Sequence, residues 1–277
     1  TISLMIPMSL LTQKGYHSLW VWPILLIAIF FIVNFIITNR QATHPIVHFH
    51  TLFSKKPFVG ATMAISSHLT LLTGIAGINV YIVRILKLPF DISLHFYFFF
   101  FVGVIITGIL KMFFYSSVGA GFLGTLGSSA LLYVSIHWII LGNTINIPLL
   151  YIQGLLLGFG ASMTLVSGSM ATLLDGDLKE AAQRSQTMHT IRNFSAAMLI
   201  PIIAYTIKNH IQKGTQSIYA ENITDKMIYL KKLQDVAIDA DHQIFLLMII
   251  FNMVMFVSSI IQMILGKGRR ITPPRES

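Results

Sequence analysis

The sequence predicts an all-α polytopic membrane protein. Two observations carry that reading: 55% of the 277 residues are hydrophobic and only 10% charged, with a mean hydropathy of +0.74, and the apolar residues fall into separate runs of helix length. A bilayer core of roughly 30 Å needs about 20 apolar residues in a helix. The alternating segments of roughly 10 residues that build an outer-membrane barrel are absent from the pattern. Such runs satisfy their own backbone hydrogen bonds only as helices.

In chain order, Ile2 to Leu11 is too short to span and reads as the end of a truncated helix. Lys14 to Ser18 is a polar link. Leu19 to Thr38 is a full span, with Trp20 and Trp22 at an interface and Pro23 in its first turn, where a missing N–H costs little. Asn39 to Lys56 carries Arg40, Lys55 and Lys56 and is expected on the cytoplasmic side. Phe58 to Leu86 exceeds one bilayer thickness, so it tilts or extends beyond the lipid. Ile92 to Phe114 and Val118 to Leu141 follow, separated by a turn at Tyr115 to Ser117 near Lys111. The second of these carries Gly119, Gly121, Gly124 and Gly127, spaced for close helix contact.

Tyr151 to Leu174 and Ile191 to Ile207 are the next spans, joined by the polar turn Asp175 to Ser185. Lys179, Arg184 and Arg192 place that turn in the cytoplasm by the positive-inside tendency. Pro201 should kink its helix. The polar stretch 209–242 is expected as an extramembrane loop with helical signals at Asp225 to Val236, Phe245 to Leu265 is the last span, and residues 266–277 form a basic cytoplasmic tail. The chain has no cysteine, which excludes disulfides. The net charge of +9 is attributed to topology and lipid headgroups, so membrane lipid is an expected partner and nucleic acid is not.

Two segments carry a family resemblance. Ala182 to Arg192, above all His189-Thr190-Ile191-Arg192, resembles the Asn-x-x-Arg segment that opens the thirteenth helix of fourteen-span drug:proton antiporters of the major facilitator superfamily. His189 stands where that pattern has Asn, and Ser195-Ala196-Ala197 replaces its glycines. Pro45 to Phe53 resembles the amphipathic link between the eighth and ninth helices, with His48 in place of the usual acid, and Lys111 with Gly119 sits at the position of the Gly-x-x-x-Asp-Arg loop. The resemblance implies a carboxy-terminal six-helix transport bundle over residues 58–265, preceded in residues 1–57 by one linking helix and the truncated helix. It also implies a bacterial inner-membrane location and alternating-access efflux of small organic compounds. Protons would couple through an amino-terminal half outside this sequence.

Within such a bundle the resemblance makes His68, Asn79, Gln153, Met163 and Asn193 candidates for the substrate path, and Arg192 a cytoplasmic gate or loop residue. His68 and Asn79 are three helical turns apart and so share a face. Each of these groups could instead hydrogen-bond a neighbouring helix. Gly154 and Gly158 read as a packing pair. The ten acidic residues are all expected outside the middle of a span. The alternative from another class is a membrane-embedded metal-dependent enzyme using His44, His48 and His50, whose spacing could bind a metal. Interfacial histidines are the preferred reading, so neither an enzymatic activity, a metal nor a cofactor is expected.

Overall fold

Apolar runs of this length form helices, and a computed structural model of the chain places them. It describes residues 6, 10, 21–42, 45, 47–175, 177–221 and 225–267. The expected truncated helix, the link at Lys14 to Ser18, His44 and most of the basic tail lie outside the described residues. Among those described, every regular element is a helix. We label them α1 (Val21–Gln41), α2 (Phe49–Leu52), α3 (Lys55–Asn79), α4 (Phe90–Trp138), α5 (Ile147–Leu174), α6 (Ala181–Ala220) and α7 (Lys226–Ile264). A π-helical turn, Val80–Ile85, extends α3, and a 3₁₀ turn, Leu178–Glu180, precedes α6. All but α2 are long and apolar enough to cross a membrane.

At 49 residues α4 is longer than any single crossing needs, and Gly119 (φ 82°, ψ 170°) breaks it. Neighbouring contacts give the direction of each arm. Phe96 and Phe100 lie against Gly154 and Gly158, and Thr107 and Lys111 bond the Phe159 and Ser162 carbonyls, so residues 90–118 run parallel to α5. Beyond Gly119 the order inverts: Gly127 meets Met163, Leu131 meets Gly160, and Trp138 bonds Gln153. The chain therefore reverses at Gly119, a few residues past the expected turn at Tyr115 to Ser117. We call the two arms α4a and α4b, and with them the described apolar segments number seven, as the sequence suggests.

α3 lies antiparallel to α5, with Gly60 against Ala171, Ser67 Oγ 2.6 Å from Thr164 Oγ1, and Gly74 against Leu157. α7 is antiparallel to both α3 and α4b: Gly74 and Gly77 meet Met248 and Phe245, and Gly121 and Gly124 meet Met263 and Ser259. At Gly60 and Gly121 the backbones themselves approach so closely that a side chain would not fit, and at Gly77 the Phe245 ring fills the space. The fully buried Met63, Tyr81, Phe96, Trp138, Leu157 and Phe245 fill the spaces between. α6 runs parallel to α3 and is joined to it by smaller apolar clusters. α1 presents mostly exposed apolar side chains; the Asn39 side chain fastens its end, donating to the Val47 carbonyl at 2.7 Å and accepting from its N–H at 3.1 Å.

Several boundaries differ from the expectation. The stretch 209–242 is not a plain loop: α6 continues to Ala220 and α7 begins at Lys226, and the two extensions pack where Gly214 meets Val236. α6 also starts ten residues before the predicted Ile191, at Ala181, and continues through Pro201. Arg184, expected as a topological charge in a turn, is fully buried. Its Nε and Nη2 donate to the Thr172 and Leu173 carbonyls at 3.0 and 2.9 Å, and Glu180 lies 3.8 Å from its Nη1. It thereby satisfies carbonyls that the end of α5 leaves without helical partners, where a cation also suits the helix dipole.

Candidate functional site on the α3–α6 seam

α6 meets α3 through two apolar clusters. One holds Leu52, Ala61, Ala64 and Met188 with Ile65 and Ile191, and the other Leu69, Leu199, Ile203 and Ile244, again with Ile65. His68, one helical turn beyond Ile65 and next to Leu69, falls between them, as do Arg192 and Asn193 on α6. His189 and Arg192 are three residues apart on one helix and therefore neighbours on its surface. The Arg192 guanidinium lies within electrostatic range of both His68 and His189.

The cluster is under-satisfied. Arg192 Nε and His189 Nδ1 are buried without a hydrogen-bond partner. A polar atom in that state costs on the order of 1–3 kcal/mol, and ionisable groups within apolar helices are retained mainly where they serve a pathway or a ligand. At the Asp175 end of the same seam, the His48 N–H donates to Thr187 Oγ1 at 3.0 Å, docking residues 47–52 against α6. Beside it is a cavity of about 500 Å³ whose lining includes His48, His50, Glu180 and Gln183. Among the described residues no group of three or more His, Asp or Glu is placed to hold a metal ion.

The structure separates the sequence candidates. His68, Arg192 and Asn193 gather on the α3–α6 seam, with Asn193 exposed. Asn79 lies at the other end of α3, where its Oδ1 accepts the Tyr97 hydroxyl at 2.8 Å. Gln153 is buried and accepts the Trp138 indole N–H at 2.8 Å, and Met163 is fully buried against Gly127. These three serve the packing between helices. Gly154 and Gly158 do the same against the backbone of Phe96 and Phe100. Lys111, expected at a turn, is buried within α4a and donates to the Ser162 carbonyl at 2.6 Å, tying α4a to α5.

Two residues escaped the sequence reading. His189 appeared there only as a departure from a motif, although its spacing from Arg192 marks it as a neighbour. Asp241 was read only as one of the acids of the polar stretch 209–242, four residues short of the expected span at Phe245. It lies inside α7, 1% exposed, with both carboxylate oxygens unpartnered, within electrostatic range of Tyr81. The Tyr81 hydroxyl is itself engaged by the Gly142 carbonyl. The signal was present in the sequence: Asp241 shares a helical face with Ile238, Ile244, Phe245 and Met248, all buried. No protein-family model matches the sequence, and a search of curated proteins finds no match.

Proposed function

We propose that this chain forms a helical bundle of a secondary transporter of the major facilitator type, moving small organic compounds across a bacterial inner membrane. The observation that carries the reading is the half-buried, under-satisfied group of His68, His189 and Arg192 on a seam between two otherwise apolar helices. In an alternating-access transporter two bundles rock about a site near the membrane midplane, and the α3–α6 seam is the face on which this bundle would offer polar contacts. Coupling to protons, by the same resemblance, would lie in the other bundle. The His189-Thr190-Ile191-Arg192 segment, which carries the family resemblance, lies in this same group.

The test is flux. Everted membrane vesicles containing the complete transporter polypeptide are energised with a pH gradient, and extrusion is followed for a panel of fluorescent cations, neutral amphiphiles and organic anions. The expected result is gradient-dependent movement of at least one compound that His68→Ala or Arg192→Gln reduces at unchanged membrane abundance. No such movement across the panel would overturn the transport reading.

A further inference from the structure

Among the described residues Arg192 takes part in no ion pair, and its Nε is buried with nothing to bond. The nearest acids in sequence are committed or distant: Glu180 pairs with Arg184, Asp177 accepts the Lys179 N–H at 3.1 Å, and Asp175 accepts from Gln262 at 2.9 Å in the turn before α6. Asp241 sits at the level of Tyr81, toward the opposite end of α3. Among the described residues, the group of His68, His189 and Arg192 thus holds a guanidinium and two imidazoles with no carboxylate shown to pair with it. A guanidinium is a rigid planar fork matched to two oxygens of a carboxylate or phosphate, and a nearby imidazole adds an N–H donor.

We infer that the α3–α6 seam is a binding site for an oxyanion, a carboxylate or phosphate group held by Arg192 with His68 and His189 beside it. An anion there completes the hydrogen bonding that the helices leave open and offsets the charge of an arginine set between apolar clusters. Two sources share this chemistry, a soluble anion and the headgroup of an anionic lipid. Ile200 and Ile202, exposed on the same helix, would accompany either a lipid or an amphiphilic acid. The inference deepens the transport reading by naming a ligand class for the same seam. Binding is measured without flux, so anion binding with no transport would count against that reading alone.

The experiment uses the full 277-residue chain in nanodiscs of phosphatidylcholine, with thermal unfolding followed against inorganic phosphate or benzoate at constant ionic strength set by chloride. A second set of nanodiscs contains phosphatidylglycerol. The expected result is a saturable rise in Tm with phosphate, benzoate or phosphatidylglycerol that is abolished in R192Q. H68Q and H189Q should weaken the same response about 10- to 100-fold, the scale of one hydrogen bond to a charged group. A response to phosphatidylglycerol alone identifies a lipid headgroup as the source, and a response to the soluble anions identifies a free ligand. Should R192Q fail to fold, the two histidine variants decide. No rise with any of the three anions, or the same rise in every variant, would overturn the inference.

Discussion

The two seams that α3 makes, one with α5 and α7 and one with α6, are built on opposite plans. Toward α5 and α7, glycines allow close packing: Gly60 lies against the Gly168 backbone, and Gly74 and Gly77 receive the side chains of Met248 and Phe245. Some polar groups there are matched, as Ser67 is with Thr164, although Ser167 Oγ and both Asp241 carboxylate oxygens are buried without a partner. Toward α6, contact is limited to two apolar clusters joined at Ile65, and the polar groups between them are left unmatched. Close packing of this kind makes a scaffold, since any displacement loses many contacts together. A sparse seam with unmatched donors costs stability and leaves room for a ligand or for movement.

Substitutions can break this contrast. The largest effect is expected at Gly158, where a methyl group would collide with the Phe100 backbone carbonyl. Gly158→Ala should destabilise the protein by about 3 kcal/mol, the upper range for overpacking, read as a lower Tm in detergent. Gly119 comes next, because its φ of 82° with ψ of 170° is a conformation that only glycine adopts without strain. Gly119→Ala should cost about 2 kcal/mol and loosen the reversal between α4a and α4b, measured as faster proteolysis there. Gln153→Leu leaves the buried Trp138 indole without its acceptor and should cost about 1 kcal/mol. If the α6 seam is built for a ligand rather than for stability, Arg192→Gln should leave stability in the absence of anions unchanged or raise it by at most about 1 kcal/mol, since it removes a buried N–H without a partner.

How much of this the sequence disclosed follows from what each feature depends on. The apolar spans were legible because hydropathy and length are local properties, and the seven segments follow them. The reversal at Gly119 was displaced by a few residues because polar side chains mark a turn less sharply than backbone conformation does, and Ser116 and Ser117 drew the expected turn toward themselves. The helical signal at Asp225 to Val236 was read, but the extension of α6 and its pairing with α7 were hidden for another reason. Residues 209–242 are too polar to read as a span, yet the two extensions support each other through contacts such as Gly214 with Val236. That pairing is tertiary and leaves little trace in local composition.

The site candidates divide along the same line. Helical periodicity placed His68 and Asn79 on one face, but it could not show that Tyr97 bonds the Asn79 side chain while His68 lies within electrostatic range of Arg192 on α6. Gln153 and Met163 were named because the resemblance put their helix beside a cavity, whereas the glycines around them draw α4 close enough to cover both. Arg192 and His189 were visible as a motif and its departure. Their lack of an acidic partner became apparent only once Glu180 was seen to be committed to Arg184.

The central claim is that the α3–α6 seam opens to water and ligand while the α4–α5 seam is sealed. The cysteine-free chain allows this to be measured directly. Single cysteines at Asn193 on α6, at Met163 in the α4–α5 seam and at Phe101 on the exposed apolar face of α4a are treated in intact membranes with a hydrophilic maleimide. The account predicts that the cysteine at position 193 is labelled and that those at 163 and 101 are not. Protection at position 193 equal to that at position 101 would mean that this part of α6 faces lipid, and would contradict the account.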